Sequence, residues 1–383
     1  MGLFRAIVLI LFTGLFFYAT HQLTRFANLP FMQNFAVVAL MALIFGVVAA
    51  MPMFFWSMEP SQHKPWHDRF FAVSHVALAY VNFLMAFLIL RDLAAFILNY
   101  LPVAGLNSET LYGAEALGVM LLSPVLFIIL GTLVVRVGPR LKKVDLHFKE
   151  LPQELEGLRI LHITDLHISR SLPTNFITKL VTLAKKSPAD LVVFTGDILD
   201  DVPTRFQDDV KLLTDIPSKF GNFFVPGNHE YYWQAEQSIG VFSQLGFNVL
   251  LNSAQTLKVG SAELQICGIP DPAAGNFQLE GPNFEKLAQS LHPQAFKILL
   301  AHQPRFADQA APLNIQLQLS GHTHGGQFFP WNFLIGFFQK YSKGHYQIQN
   351  MQLYVNQGTG YWGPSLRLGT YCELAEIRLV KQS

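Results

Sequence analysis

Cysteine is almost missing from this chain: the 383 residues include two, Cys267 and Cys372, and they lie far apart. No C-x-x-C pair occurs, which argues against a thiolate zinc site and a disulfide framework and leaves two reduced, partly buried thiols. Charge is scarce too. Charged residues make up 14% of the chain, the formal net charge is +1 and no run is rich in Lys or Arg, so nucleic acid is set aside as a partner. Arg5 and the apolar run around it match the first two parts of a secretory signal, but no A-x-A-like cleavage site follows and more apolar stretches do, so the reading is an uncleaved anchor. A myristoylation signal needs Ser or Thr where this chain has Ala6.

What is present is unevenly distributed. Residues 1–140 are mostly apolar and contain four stretches, 3–20, 35–56, 70–90 and 116–137, near the ~20 residues needed to cross a bilayer. Pro52 and Pro124 are tolerable inside such helices, where neighbours satisfy the freed backbone groups. Trp56 and Trp66 stand near span ends as interfacial anchors. Residues 91–101 are too short for another crossing and read as a segment along the interface. Four crossings put both ends on one side. Arg5, Lys64, Arg69, Arg136, Arg140, Lys142 and Lys143 fall on that side, and only Arg25 and Arg91 on the other. This asymmetry predicts a multi-pass protein of the cytoplasmic (inner) membrane with its soluble part in the cytoplasm. Apart from Arg5 and Arg136 at their ends, His75 is the one Asp, Glu, Lys, Arg or His inside these spans, with Asn82 near it, which suits an anchor better than a transport pathway.

Residues 141–157 read as a polar connector, and residues 158–383 as a soluble domain. There, apolar runs of strand length ("RILHIT", "DLVVFTG", "NFFVPG", "FKILLAH", "IQLQLSGH") alternate with stretches of helical period such as 174–186 and 283–292. "QTLKVGSAELQICGI" predicts a hairpin turning at Gly260 and Ser261. "QLYVNQG" and "CELAEIRLV" predict the last strands. The pattern is that of an α/β domain, a layered sandwich of two sheets with helices outside, whose strand order the sequence leaves open.

Five of these apolar runs end on residues able to bind a hard or borderline metal ion. Asp165 and His167 follow the first, Asp197 and Asp200 the second, Asn228 and His229 the third, His302 the fourth, and His322 and His324 the fifth. Repeated delivery of such groups at strand ends is how an α/β sheet gathers scattered residues into one site. Isolated histidines such as His162 and His345 read as structural.

In this order, D-x-H, G-D-x-x-D, G-N-H-E, a lone His after a strand and G-H-x-H resemble the calcineurin-like metallophosphoesterase superfamily over residues 158–380. "GHTHGGQ" and "GTGYWGPSLRLG" resemble a membrane-associated bacterial branch that includes phosphodiesterases and hydrolases of UDP-diacylglucosamine. The resemblance implies a four-layer α/β/β/α sandwich. It implies that Asp165, His167 and His324 hold one divalent cation, that Asn228, His302 and His322 hold a second, and that Asp197 bridges them. Cations about 3.5–4 Å apart would share that carboxylate and a bridging hydroxide able to attack phosphorus. His229 would protonate the leaving group, with Asp200 orienting it. A ligand set of His, Asp and Asn suits manganese, iron or zinc.

One departure narrows the reading. Protein phosphatases of the superfamily carry Arg right after the second Asp of G-D-x-x-D, and here that position is Asp201, so a phosphate-clamping guanidinium is lacking there. Arg367 stands as a substitute phosphate contact or as a structural arginine. Residues 328–338, "FFPWNFLIGFF", follow the last ligands and are very apolar, as a core segment or as a surface that meets lipid through Phe328, Phe333 and Phe337. The expected protein is therefore a membrane-anchored phosphoesterase. Its substrate would be a phosphodiester, pyrophosphate or phosphomonoester, lipid-linked, and its partners the membrane lipids. The alternatives are a non-catalytic metal-binding sensor or scaffold and a regulated transporter.

Overall fold

The computed structural model describes residues 2–25, 27–57, 64–101 and 107–382. They fall into two units, Met1–Leu133 with Gly363–Ser365, and Val134–Trp362 with Leu366–Ser383.

The first unit is built on α1 (Gly2–Thr24), α2 (Phe31–Ser57), α3 (Pro65–Tyr100) and α4 (Ala114–Val137), the last of which runs on into the second unit. All four are long and apolar enough to cross a membrane. Pro52 and Pro124 sit inside α2 and α4, while Pro65 starts α3, where its missing N–H costs no hydrogen bond. Met41, Phe45, Leu84 and Leu88 are buried between helices, whereas Ile10, Leu43 and Leu122 face outward. An apolar outer face is what a helix presents to lipid. The side chain of Trp56 lies outside the described residues.

Residues 91–101 are not a separate interfacial segment. α3 continues through 36 residues to Tyr100, with no further proline to stop it before Pro102. Its interior charges are matched locally. Arg91 donates to Asp92, to the Gln22 carbonyl and to the Gln22 side chain, and its guanidinium lies 4.5 Å from the Tyr112 ring centroid, while Tyr18 donates to Asp92.

The second unit carries twelve strands: β1 (Arg140–Phe148), β2 (Arg159–Ile163), β3 (Leu191–Phe194), β4 (Asn222–Phe224), β5 (Asn248–Val249), β6 (Ser253–Val259), β7 (Ala262–Ile269), β8 (Phe296–Ala301), β9 (Leu317–Ser320), β10 (Gly344–Ile348), β11 (Met351–Val355) and β12 (Glu373–Lys381). Its helices are α5 (Thr174–Lys185), α6 (Pro203–Lys211), α7 (Asn228–Tyr232), α8 (Ala235–Gln244), α9 (Phe284–Gln289), α10 (Ala307–Ala310) and α11 (Trp331–Phe338). The strands form two six-stranded sheets, ordered β1-β12-β2-β3-β4-β5 and β10-β11-β9-β8-β7-β6. β2 to β5 run parallel, as do β7, β8, β9 and β11. The β6–β7 hairpin closes with Val259 opposite Ala262, around Gly260 and Ser261.

Three apolar layers hold the sandwich. Between the sheets pack Ile160, Val193 and Phe223 from one and Ile266, Ile298 and Leu319 from the other. Outside the first sheet, α5 buries Phe176, Ile177, Leu180, Val181 and Ala184, one helical stripe. Outside the second, Leu287 of α9 and Ala307 and Ala310 of α10 cover Leu299 and Leu353. Central strands buried on both faces read as continuous apolar runs, which is why they stood out in the sequence.

The stretch 141–157 is folded rather than a connector. β1 pairs with β12 from Arg140 opposite Glu373 to Phe148 opposite Lys381, and Leu146, Phe148, Leu151 and Leu155 enter the core between the sheets.

Candidate metal centre

The parallel strands of both sheets stop at one edge, and the chain turns sharply just beyond each stop. Asp165 and His167 follow β2, Asp197 follows β3, Asn228 opens α7 after β4, His302 follows β8, and His322 and His324 follow β9. Five of these residues have left-handed backbone: φ is 51° at Asp165, 54° at His167, 53° at Asp197, 74° at His322 and 51° at His324. Non-glycine residues seldom hold that conformation, and where they do it commonly marks a functional site.

Hydrogen bonds fix the turns. Asp165 and His167 donate their backbone N–H to the carbonyls of Gly196 and Asp197, extending the β2–β3 pairing past the strands. Gly321 donates to the His302 carbonyl, and the His322 N–H reaches both Asp165 oxygens at 2.9 and 3.0 Å, tying one sheet to the other. Two glycines are needed for closeness: a Cβ at Gly227 would collide with the Asp197 carboxylate, and one at Gly321 with that of Asp165.

Glu230, which sequence reasoning passed over, braces the whole turn system. It is fully buried, and its two oxygens accept the backbone N–H groups of Asp197, Ile198, Leu199 and Gly227 at 2.7–3.0 Å. Burial and the nearby Asp197 push its carboxyl up to about 7, while the donors from Leu199 and Gly227 pull the other way. Its signal in the sequence is an acid placed directly after Asn228 and His229, at the third position of α7, where a carboxylate reaches back to the helix start.

Two clusters able to hold a cation result. Asp165, His167 and His324 bring one donor atom each within 4.8 Å of one another, and so do Asp197, His302 and His322; His167 and Asp197 form a third such group with His229. Asn228 joins the second, its Oδ1 3.2 Å from His302 Nε2. The Nε2 atoms of His167 and His324 face each other at 3.0 Å, and His322 Nδ1 faces His302 Nε2 at 3.2 Å. Between the clusters stands Asp197, whose Oδ2 is 3.1 Å from His302 Nε2 and 3.8 Å from His167 Nε2. The far ring nitrogens are also engaged. His302 Nδ1 meets the Thr195 carbonyl at 2.8 Å and His167 Nδ1 meets Asp200 at 3.1 Å, an arrangement that leaves each Nε2 lone pair aimed inward. Converging imidazole nitrogens and carboxylate oxygens, with their outer atoms already bonded, fit divalent cations of the borderline kind.

The charges in this volume oppose one another. Burial works against charge on His302, while Asp197 beside it favours charge. Burial and the nearby His302 push His322 down to about 3. Burial disfavours the Asp197 anion, but His302 and His229 more than offset that and hold its carboxyl well below the usual range.

His229 lies at the rim. Its Nδ1 is 2.6 Å from Asp200 Oδ1, and its Nε2 is 4.0 Å from Asp197 Oδ2. Burial opposes its charge, but Asp200 and Asp197 together push it up to about 9. The Trp233 indole also donates to Asp200, at 3.0 Å. Two half-exposed rings flank His229: Tyr232 at 5.1 Å and Trp362 at 5.9 Å between centroids. Neither was singled out from sequence. Gln327, the last residue of GHTHGGQ, sets the Trp362 position, since its side-chain amide pairs with both the N–H and the carbonyl of that tryptophan.

Other expectations fall differently. Arg367 is not placed to meet a substrate: it is 0% exposed, and its guanidinium donates to the carbonyls of Gly358, Gly360 and His324 and to Thr370. It ties the 358–360 turn to the His324 loop. Asp201 is buried by Arg170, which meets it at 2.9 Å, and accepts the Val202 N–H at the start of α6. Residues 331–338 are not a core segment, because α11 buries none of its side chains; Phe333 and Phe337 point outward, and Phe328 is half-buried.

The profile of the calcineurin-like phosphoesterases matches residues 158–326, which contain both clusters, Asn228, His229, Asp200 and Glu230. An uncharacterized metallophosphoesterase of Campylobacter jejuni is 35% identical over 243 residues, 63% of this chain and 63% of that protein. An uncharacterized metallophosphoesterase of Bacillus subtilis is 31% identical over 221 residues, 55% of this chain and 74% of that protein. A transmembrane protein with metallophosphoesterase domain from Danio rerio is 31% identical over 250 residues, 63% of this chain and 57% of that protein. The chain thus spans less than two thirds of the length of the Campylobacter and Danio relatives.

Proposed function

The chain belongs to the calcineurin-like phosphoesterase family, and from that premise we propose that it is a membrane-anchored phosphoester hydrolase working with two divalent cations. Asp165, His167 and His324 would hold one cation and Asn228, His302 and His322 the other, with Asp197 shared. The observation that carries this reading is the place of Asp197 Oδ2, within 4 Å of a ligand nitrogen from each cluster. When bound, such cations supply Lewis acidity toward phosphoryl oxygens and lower the pKa of water enough to give a nucleophile at neutral pH. Manganese, iron and zinc all suit the donors.

The chain's own residues do the rest. Asp200 accepts from His229 Nδ1 and so leaves Nε2 directed to the side where Asp197 stands. Asp200 favours the charged form of the His229 imidazole, which can give its proton to a departing alkoxide. Glu230 keeps the Asp197 turn from relaxing, which preserves the spacing of the two clusters. Tyr232 and Trp362 bound the side on which the leaving group would depart.

The substrate we infer is a phosphodiester, pyrophosphate or phosphomonoester carried by a lipid, which the four apolar helices of the same chain support. The flanking Lys and Arg favour a multi-pass protein of the cytoplasmic membrane with this domain in the cytoplasm. The test is hydrolysis by the purified full chain, in detergent with Mn²⁺, of bis(p-nitrophenyl) phosphate against p-nitrophenyl phosphate. Metal-dependent release that disappears in Asp197→Asn is expected, and the preferred ester separates diesterase from monoesterase. Two bound cations with no release from these esters or from lipid pyrophosphates would overturn the proposal in favour of a metal-binding sensor.

A further inference from the structure

α11 begins seven residues after His324, and it is the least polar helix surface in the second unit. Its sequence, WNFLIGFF, has no charge, and Phe333, Phe337 and Phe338 are 71%, 85% and 70% exposed. Positions 333 and 337 lie one turn apart, as do 334 and 338, so one continuous apolar face looks outward. Trp331 at its start and Leu334 are exposed as well.

The helix is fixed to the candidate centre. The Trp331 carbonyl lies so close to Gly326 that a Cβ there would collide with it, and the Asn332 N–H donates to the Phe328 carbonyl. Gln327, between the ligand loop and the helix, also holds exposed Trp362 beside His229. A structured element, anchored at one end to the candidate ligands, thus presents four large rings that are 44–85% exposed among the described residues.

We propose that α11 lies in the bilayer interface, with Phe333, Phe337 and Phe338 among the upper acyl chains, and that it brings the mouth of the centre to lipid head groups. This deepens the lipid-linked reading above and rests on it for its purpose. Several observations favour lipid over a protein partner. α4 ends at Val137 and β1 begins at Arg140, so only two residues join a helix fit to cross a membrane to the first strand of the domain. Two residues reach about 7 Å at most, so the first strand starts close to the end of that helix. An apolar face with Trp331 at one end and Lys340 and Lys343 just past the other is the make-up of a helix lying in an interface.

The test uses the full chain in phospholipid nanodiscs. Both native cysteines are buried, so Phe337→Cys supplies the reactive thiol for an environment-sensitive fluorophore, with exposed Lys258→Cys on β6 as control. Lipids carrying a nitroxide on the acyl chain should quench the label at 337 at least about threefold more than the label at 258, and iodide in the buffer should quench it less. Free access of iodide to both labels, without acyl-chain quenching at 337, would overturn the proposal. Protection of 337 from both quenchers would also overturn it, since protein would then cover the helix. No turnover is needed for this reading, so a failure of the phosphoesterase proposal is seen separately, in the ester assay.

Discussion

The carboxylate of Asp200 meets Nδ1 of His229 at 2.6 Å, and its second oxygen meets Nδ1 of His167 at 3.1 Å. One side chain therefore orients both the candidate proton donor and a candidate ligand.

That sharing separates two variants. His229→Asn should lower kcat by about 10²–10⁴-fold with cation content unchanged. Asp200→Ala should lower kcat similarly and also weaken cation binding by about tenfold or more, because both histidines lose the acceptor on their outer nitrogen. Metal analysis of the purified variants beside steady-state kinetics checks both. Equal cation affinity in the two would show that Asp200 serves His229 alone.

Glu230→Gln should be costly for the fold. The amide cannot accept at its nitrogen, so N–H groups now bonded to one carboxylate oxygen would face another donor in a dry site. A loss of about 3 kcal/mol is expected, with a lower thermal midpoint and poorer cation retention. An unchanged midpoint in detergent would refute the bracing role.

Cys267 and Cys372 should be inert in the folded chain. Burial pushes the Cys267 thiol up to about 12 and raises that of Cys372, and both side chains are inaccessible. At pH 8, iodoacetamide should label fewer than about 0.1 thiols per native chain and two after unfolding, as read by mass spectrometry.

His162 should make stability depend on pH. Burial pushes its imidazole down to about 3, with Nε2 2.7 Å from Thr195 Oγ1 and no partner for Nδ1 among the described residues. The unfolded ring takes up a proton below its ordinary value of 6.5, and the folded ring does not until about pH 3. Its contribution is thus complete above pH 6.5 and falls as pH drops toward 3, by at most about 1.4 kcal/mol per pH unit. Thermal midpoints of wild type and His162→Asn across pH 4–8 should converge toward the acid end; parallel curves would show that another group sets the dependence.

Much of this was legible in the sequence, for a physical reason. Strands buried on both faces are unbroken apolar runs, so polar residues at their ends stand out, and the convergence of Asp165, His167, Asp197, His302, His322 and His324 could be anticipated from order alone. β1 was not legible, because Lys142, Lys143, Asp145 and His147 obscure the few core positions, Leu146 and Phe148. The length of α3 was hidden by Arg91, whose charge is matched by Asp92 and Gln22 in space. Arg367 looked available until its burial was seen. Glu230 and Gln327 act through backbone groups far along the chain, a relation that residue type does not announce.

The two sheets contribute separately to the centre: Asp165, His167, Asp197 and Asn228 come from one, His302, His322 and His324 from the other. Cations held there would act as a clasp across the open edge of the sandwich. Each ion bound at a hundred times its dissociation constant would add about 2.7 kcal/mol to the closed form. The seam between the sheets would then be held more firmly with both ions bound than without them.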